Sequence, residues 1–195
     1  MLNLIRVLIY HLTNSFDNEN NKEDSAVVQS SSKLHKVALE RLKERGVSLE
    51  EIAELVYDLQ KPYIADISME ICIENVRSVI KKREVQNTIL TGIELDVLCE
   101  QGKLSSPLQE IIQEDEGLYG IDEILALSIV NVYGSIGFTN YGFLDKTKPK
   151  LISKLDDHQN KDQTHTFLDD IVGAIAAAAA SRLAHDDPGI SDIMK

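Results

Sequence analysis

Residues 165–185 read HTFLDDIVGAIAAAAASRLAH, and the architecture follows from this segment. Its apolar part begins at Phe167 and contains six alanines between residues 174 and 180, so it is only weakly hydrophobic. Asp169 and Asp170 lie near its beginning and Arg182 near its end, which is too polar a composition for a helix that crosses a bilayer. The segment therefore predicts a buried helix in a soluble protein.

The sequence before this helix also carries helical patterns. Apolar residues recur at spacings of three and four, and Ile121–Val132 is the other strongly apolar helix. Helix-opening signals occur at Ser48-x-x-Glu51, Ser68, Thr91-x-x-Glu94 and Ser106-Pro107. Gly46 and Gly102 stand where helices are expected to end. Strand signals are poor, because β-branched residues follow the helical spacing and no hairpin dipeptide separates alternating runs. The pattern predicts an all-α fold with a single helical domain.

The domain is expected to span residues 34–185. A short apolar segment at 1–16 precedes it, a polar Ser/Asn-rich linker at 17–33 joins the two, and residues 186–195 form a tail. Residues 2–12 place Leu2, Ile5, Ile9 and Leu12 on one helical face. Two interpretations remain open for this segment: a peripheral membrane contact, or an upstream translation start or helix packed on its own domain. The second is favoured, because neither the amphipathicity nor the basic charge is strong.

Composition excludes several classes of function. The 195 residues include 32 Asp+Glu and 20 Lys+Arg, a formal charge of −12, which argues against a nucleic-acid binder. No segment reaches the roughly 20 apolar residues that a membrane span needs. Cys72 and Cys99 lie in apolar helical patterns and are expected to be free thiols, as in a reducing cytoplasm. A cytoplasmic protein is expected, with a location at the inner face of the membrane as the alternative.

Two acidic pairs stand directly before apolar helices. Asp122-Glu123 precedes ILALSIV, and Asp169-Asp170 precedes IVGAIAAAAA. The helix dipole alone favours carboxylates in a first turn, so each pair has a purely structural interpretation. The other interpretation is that carboxylates at the edge of a core require a cation, because burying an unpaired charge is expensive.

Residues 133–149, YGSIGFTNYGFLDKTKP, lie between these pairs and are predicted to form a flexible polar loop. Asp145 and Lys148 stand three residues apart before Pro149, the spacing of an ordinary surface ion pair. Alternatively, Asp145 faces the acidic pairs and Lys148 meets a phosphate oxygen. A carboxylate cluster with one lysine suits phosphoryl chemistry assisted by Mg²⁺, which prefers oxygen ligands.

Three segments in this order, GIDEILALSI, LDKTKP and HTFLDDIVGAIAAAAASRLAH, resemble the phosphatidylglycerophosphatase A family, most closely its soluble YutG-like branch. Asp122 and Glu123 match the acidic motif that begins one helix of the family. The other two motifs match Asp145, Lys148 and Pro149, and Asp169, Asp170 and Gly173. The resemblance covers residues 115–185 strongly and the preceding helices weakly. The Gly-rich loop and the spanning helices of the membrane-bound members have no counterpart here.

The resemblance implies an all-helical domain in which a central apolar helix is surrounded by others. It implies a Mg²⁺-dependent phosphatase that converts phosphatidylglycerophosphate into phosphatidylglycerol and phosphate. The expected metal ligands are Asp122, Glu123, Asp145, Asp169 and Asp170, and the expected catalytic residues are Asp145, Lys148 and Asp170. Lys148 would orient the phosphate, and the attacking group is either a water held by the metal or an aspartate.

Two other functions remain open at this point. The chain is either a phosphatase of a soluble phosphorylated metabolite, which shares the same site, or a non-catalytic helper of cold adaptation or membrane homeostasis. The expected partners are a phosphorylated lipid headgroup or a small phosphoester, with no nucleic acid. The apolar helix faces are compatible with a homodimer, although no coiled-coil heptad is sustained.

Overall fold

The computed structural model describes residues 33–157 and 163–186, with Asp186 described by its backbone alone. Within these two ranges the regular structure is helical and no strand occurs. In chain order the helices are α1 (33–44), α2 (Leu49–Gln60), α3 (Met69–Ile80), α4 (Arg83–Glu100), α5 (Leu108–Gln113), α6 (Ile121–Val130), α7 (Gly134–Thr147), α8 (Leu151–Leu155) and α9 (Leu168–Asp186). The predicted all-α fold is confirmed. The predicted segments 1–16 and 17–33, except Lys33, lie outside the described residues, as does the tail after Asp186.

Helix α9 forms the centre of the bundle. It contacts α2, α3, α4, α6, α7 and α8, and every residue from Leu168 to Ser181 is buried. Because residues 176–180 are all alanine, the surrounding helices meet a narrow central helix and can approach its axis closely. The expectation of a central apolar helix surrounded by others is therefore confirmed.

Helices α2 and α3 begin at the predicted caps. The Ser48 hydroxyl accepts a hydrogen bond from the Glu51 amide at 3.2 Å, and the Glu51 carboxylate accepts one from the Ser48 amide at 3.3 Å. This completes a capping box, which satisfies two backbone donors at the start of α2. The Ser68 hydroxyl accepts from the Ile71 amide in the same way at the start of α3.

Helix α4 begins earlier than the sequence predicts. Its first residue is Arg83, so Thr91 lies in the middle of the helix rather than at its N-cap. The Thr91 hydroxyl donates to the Asn87 carbonyl at 2.8 Å. A threonine hydroxyl inside a helix commonly bonds to the carbonyl four residues earlier in this way. The prediction of a helix start at Thr91-x-x-Glu94 is therefore wrong, because the same residue pattern also fits a helix interior.

The prediction of a loop at residues 133–149 is also wrong, because most of this segment is α7. Its hydroxyl groups bond within the helix: Thr139 donates to the Ser135 carbonyl at 3.0 Å. Gly137 is required for packing, because a Cβ at this position would lie 2.8 Å from a side-chain methyl of Val130. Glycine here permits close contact between α6 and α7, rather than a flexible loop.

Helices α6 and α7 form a hairpin. With the 3-10 turn Asn131–Tyr133 they make a helical stretch, Ile121–Thr147, of 27 residues with a mean hydropathy of 1.4 in its most apolar window. By length and composition this stretch is sufficient to cross a membrane, contrary to the sequence-based expectation, and 33% of that window is buried. A straight helix of this length would extend about 40 Å. However, Asp122 and Lys148, at the two ends of the stretch, line the same cavity, and the chain reverses near Gly134, whose φ is +64°.

The outer face of this hairpin is apolar. Ile124 on α6 is 62% exposed, Phe143 on α7 is 55% exposed, and Leu118 just before α6 is 91% exposed. Exposed apolar groups that cluster often mark a surface that meets another molecule. The expected homodimer, which rests on apolar helix faces, stays a prediction.

The approach of α4 to α9 depends on Gly92. A Cβ at this position would lie 2.3 Å from Cδ1 of Ile171 and 3.0 Å from Cβ of Phe167. We expect Gly92→Val to lower the free energy of unfolding by about 2 kcal/mol or more, because overpacking displaces the start of α9. The measurement is urea denaturation followed by circular dichroism.

Gly142 on α7 is the matched control for this prediction. It is exposed, and a Cβ there would meet nothing within 4 Å. Gly142→Val should therefore change the free energy of unfolding by no more than about 0.5 kcal/mol. Equal effects of the two substitutions would contradict the packing role assigned to Gly92.

Candidate metal centre

One cavity of about 130 Å³ is lined by all six of the predicted site residues. Its wall contains Asp122, Glu123, Asp145, Lys148, Asp169 and Asp170, together with Asp115, Gly117 and Thr166. The acidic pairs come from the first turns of α6 and α9, and the Asp145–Lys148 segment comes from the end of α7. The hairpin and the central helix therefore bring three helix ends to one end of the bundle.

Three carboxylates in this cavity form a compact cluster. Asp122, Glu123 and Asp170 offer oxygen atoms that all lie within 4.8 Å of one another. Oxygens that share an octahedral Mg²⁺ ion at 2.1 Å are at most about 4.2 Å apart, so small side-chain adjustments suffice to enclose such an ion. Asp122 and Asp170 are 8% and 6% exposed, which makes this cluster unlike a solvated acidic surface.

The local backbone explains how the first pair reaches the cavity. Gly120 immediately before α6 has a φ of +68°, a conformation that glycine adopts without strain. The Asp122 carboxylate accepts a hydrogen bond from the Glu123 amide at 3.0 Å, whereas the buried Glu123 oxygen Oε2 has no hydrogen-bond partner. An unsatisfied buried carboxylate oxygen is costly, and a hard divalent cation is a ligand that would satisfy it. The donor set therefore fits Mg²⁺.

Burial and mutual repulsion raise the pKa values of these acids. Burial and then the charge of the neighbouring Asp169 raise the pKa of Asp170, which is about 8 once the opposing effect of Lys148 is included. Burial likewise raises the pKa of Asp169, which is about 6 with the opposing effect of Lys148 included. The neighbouring Asp122 carboxyl group raises the pKa of Glu123 most, and burial raises it further. Below its pKa of about 8, Asp170 holds a proton that a metal ion displaces on binding.

Lys148 is the cation of the cavity. Its Nζ atom lies 2.7 Å from Oδ2 of Asp169, 3.4 Å from Oδ1 of Asp156 and 3.7 Å from Oδ1 of Asp145. Burial alone would lower the pKa of Lys148, but Asp169, Asp156 and Asp170 raise it above its usual value, so the side chain stays charged. Its backbone is left-handed, with a φ of +42°, which is uncommon for a residue other than glycine and is found often at functional sites.

The five predicted metal ligands are not equivalent in this arrangement. Asp145 and Asp169 line the cavity but contact Lys148 and lie outside the three-acid cluster. The side chain of Asp145 is 42% exposed, whereas that of Asp169 is 5% exposed. Asp122, Glu123 and Asp170 are therefore the residues best placed to hold a cation. The assignment of all five as metal ligands stays a prediction.

Sequence reasoning missed three residues of the cavity wall, Asp115, Gly117 and Thr166. Asp115 has a left-handed backbone with a φ of +49°, and its run of acids before Gly117 indicates only a turn. The Thr166 hydroxyl is buried and donates to the Ile112 carbonyl at 2.7 Å. Its position three residues before Asp169 was the one available signal, because any residue just before α9 must lie near the acidic pair.

Comparisons with known proteins agree with this architecture. The family model of phosphatidylglycerophosphatase A matches residues 44–185. YutG from Bacillus subtilis strain 168 is 61% identical over 154 residues, which cover 79% of this chain and 92% of that protein. The range matched by the family model includes Asp122, Lys148 and Asp170 and extends well into the helices that precede them.

Two solved structures share the fold. The low temperature requirement C protein from Listeria monocytogenes is 63% identical with a TM-score of 0.76, and the match covers 78% of this chain and 95% of that chain. The YpjQ protein from Bacillus subtilis is 50% identical with a TM-score of 0.77, and the match covers 84% and 98% of the two chains. Both likenesses span most of the helical bundle.

Proposed function

The chain belongs to the phosphatidylglycerophosphatase A family, and from this premise we propose that it is a Mg²⁺-dependent phosphatase of phosphatidylglycerophosphate. The products are phosphatidylglycerol and inorganic phosphate. The observation that carries the proposal is the cluster of Asp122, Glu123 and Asp170 around one small cavity, with Lys148 in the same wall. Buried acids beside one fixed lysine provide both a cation site and a phosphate contact.

In this proposal Asp122, Glu123 and Asp170 hold the metal ion. When bound, Mg²⁺ supplies positive charge for the phosphoryl oxygens and a means to activate water. The acidic pairs hold their oxygens in the first turns of α6 and α9, which are rigid elements of the bundle. Rigid placement matters because small errors in the position of reacting groups reduce the rate strongly.

Lys148 binds and orients the phosphate. It stands at the end of α7, and its ammonium group is already held by Asp169 at 2.7 Å. A phosphate oxygen that approaches the cavity therefore meets a charged donor whose position is fixed. Asp169 acts here as a positioning residue that orients the lysine, rather than as a ligand of the metal ion.

The size of the cavity bears on the substrate. About 130 Å³ is enough for a phosphate group but not for acyl chains. A second cavity of about 430 Å³ adjoins it and shares Asp115, Thr166 and Asp169 in its wall. The alcohol portion of the phosphoester extends into this polar space, while the acyl chains of a lipid remain outside the protein. A soluble phosphomonoester fits the same two cavities and is the second candidate substrate.

The test is phosphate release from phosphatidylglycerophosphate in mixed micelles and from glycerol 3-phosphate, each with Mg²⁺ and with a chelator. We expect release from the lipid that requires Mg²⁺ and falls by at least about 30-fold in Lys148→Met, because removing a charged contact to the phosphate costs a few kcal/mol. Lys146→Met is the matched control, since Lys146 is exposed on the same helix. Its activity should equal that of the wild type.

Other outcomes separate the alternatives. Release from glycerol 3-phosphate alone would replace the lipid by a soluble substrate. No release from either compound by a folded protein would contradict phosphatase activity and favour the non-catalytic helper. Equal losses in the two lysine variants would contradict the role assigned to Lys148.

A further inference from the structure

The N-terminus of α9 is capped by a residue from another helix. Asp96 lies in α4 and is fully buried. Its Oδ1 atom accepts a hydrogen bond from the Phe167 amide at 3.2 Å, and its Oδ2 atom accepts one from the Leu168 amide at 3.2 Å. The Leu168 amide is shared with the His165 carbonyl at 3.1 Å. Amides at the start of a helix lack partners within it, and such caps usually come from the residue just before the helix.

A second set of contacts holds the segment that leads into this helix. The Arg45 guanidinium donates to Glu100 Oε1 at 2.6 Å and to the Thr164 carbonyl at 2.7 Å. The Thr164 amide donates to the same Glu100 oxygen at 2.8 Å. Asp96 and Glu100 are four residues apart and therefore lie on one face of α4. We call Arg45, Asp96 and Glu100 the α4 clamp.

The α4 clamp holds residues 164–168, and Asp169 and Asp170 follow without an intervening residue. Asp169 and Asp170 have little freedom to shift along the axis of α9, because their backbone continues directly from the amides that Asp96 binds. Burying the carboxylate of Asp96 is also energetically costly. Burial raises its pKa, and the two amide donors and Arg45 only partly oppose this effect. A buried carboxylate of this kind is not needed for packing, which an apolar residue would provide at lower cost.

We propose that Asp96 is a positioning residue of the metal centre: by holding the amides of Phe167 and Leu168, it fixes where Asp170 meets Asp122 and Glu123. Asp96 lines neither cavity and does not contact the ion or the substrate. It acts through the start of α9. The inference rests on the proposed function for the identity of the ion, whereas the capping contacts stand independently of it.

The test compares Asp96→Asn with Ser181→Ala. In asparagine an NH₂ group replaces one carboxylate oxygen of Asp96. This group cannot accept a hydrogen bond, so one of the two hydrogen bonds from the Phe167 and Leu168 amides is lost. Ser181 is buried in the same helix α9, far from the acid pair, and its hydroxyl donates to the Ala177 carbonyl. Its removal therefore affects stability without altering the start of the helix. The measurements are Mg²⁺ affinity by titration calorimetry and hydrogen exchange of the Phe167 and Leu168 amides.

We expect Asp96→Asn to bind Mg²⁺ about 10- to 100-fold more weakly than the wild type, the range seen when residues that orient metal ligands are lost. At least one of the Phe167 and Leu168 amides should exchange faster than in the wild type, because one of their two hydrogen bonds to residue 96 is lost. Ser181→Ala should bind Mg²⁺ like the wild type even if its Tm falls as far. If Asp96→Asn does not fold, Glu100→Ala releases Thr164 from the same α4 clamp and should weaken Mg²⁺ binding several-fold.

Wild-type Mg²⁺ affinity in Asp96→Asn, or in Glu100→Ala where the first variant is not folded, would overturn the proposal. Equal loss of affinity in Ser181→Ala would also overturn it, because the effect would then be one of stability alone. If the wild type itself binds no Mg²⁺, the proposed function fails on its own. Amide exchange then decides the capping role, and wild-type exchange rates at both Phe167 and Leu168 in Asp96→Asn would refute it.

Discussion

Asp170→Asn is expected to reduce Mg²⁺-dependent phosphate release by more than about 100-fold while the protein stays folded. Asp170 is the member of the three-acid cluster that α9 contributes, and the amide removes its charge and one of its two ligand oxygens. Loss of transition-state stabilisation by about 3 kcal/mol corresponds to this factor. The measurement is phosphate release from phosphatidylglycerophosphate, together with a thermal unfolding curve of each variant.

The fold should tolerate this change. Asparagine has nearly the same shape, and burial already raises the pKa of Asp170, so removing the ionisable group removes a cost in the metal-free protein. Asp66→Asn is the matched control, because Asp66 lies exposed in the connection between α2 and α3. Full activity in Asp170→Asn, or an equal loss in Asp66→Asn, would show that the cluster does not serve catalysis.

Mg²⁺ is expected to stabilise the protein in a manner that depends on pH. At a Mg²⁺ concentration 100 times Kd the gain is about 2.7 kcal/mol, which corresponds to a rise in Tm of roughly 5–10 °C for a domain of this size. The measurement is thermal unfolding at pH 7, 8 and 9, with Mg²⁺ and with a chelator. The gain should be larger at pH 9 than at pH 7, because fewer protons then compete for the carboxylates.

The metal-free protein should show the opposite trend. The folded pKa of Asp170 is raised to about 8, above the usual value of 3.8, so the folded state binds more protons than the unfolded state below that pH. The stability that the neutral acid confers is therefore greatest below its usual pKa of 3.8, decreases as the pH rises toward 8 and levels off above about 8. Without Mg²⁺ the Tm should fall between pH 7 and 9, and this fall should be smaller in Asp170→Asn. A Tm that is the same with Mg²⁺ and with the chelator at every pH would exclude the proposed metal centre.

Much of the fold could be predicted from local patterns. The capping residues Ser48 and Ser68 bond to amides nearby in the sequence, so the local sequence pattern predicts their role correctly. Thr91 and the glycines of α7 were misinterpreted for a common reason. Threonine and glycine occur both at helix ends and inside packed helices, and only the neighbouring helix decides which applies. That neighbour is distant in sequence for Gly92, whose contacts are Phe167 and Ile171.

The site was predictable as a set of residues but not as an arrangement. The acidic pairs stand out because they adjoin apolar helices, and the family resemblance supplied the expectation that they act together. Which carboxylates cluster and which contact Lys148 depends on the direction of three helix ends, and no local pattern encodes this. The capping role of Asp96 was invisible for the same reason, since its partners are 71 and 72 residues away.

The position of the central helix in the chain has a consequence for synthesis. Helix α9 begins at Leu168 and follows the other described helices in the chain, so the ribosome makes the centre of this bundle after the helices that pack on it. Until it emerges, the inner faces of α2, α3, α4, α6 and α7 have no partner on which to close. We therefore expect the nascent chain to remain open and to bind chaperones until α9 has emerged, and then to fold in one cooperative step. A stop codon before residue 168 should yield an aggregating product rather than a smaller folded domain.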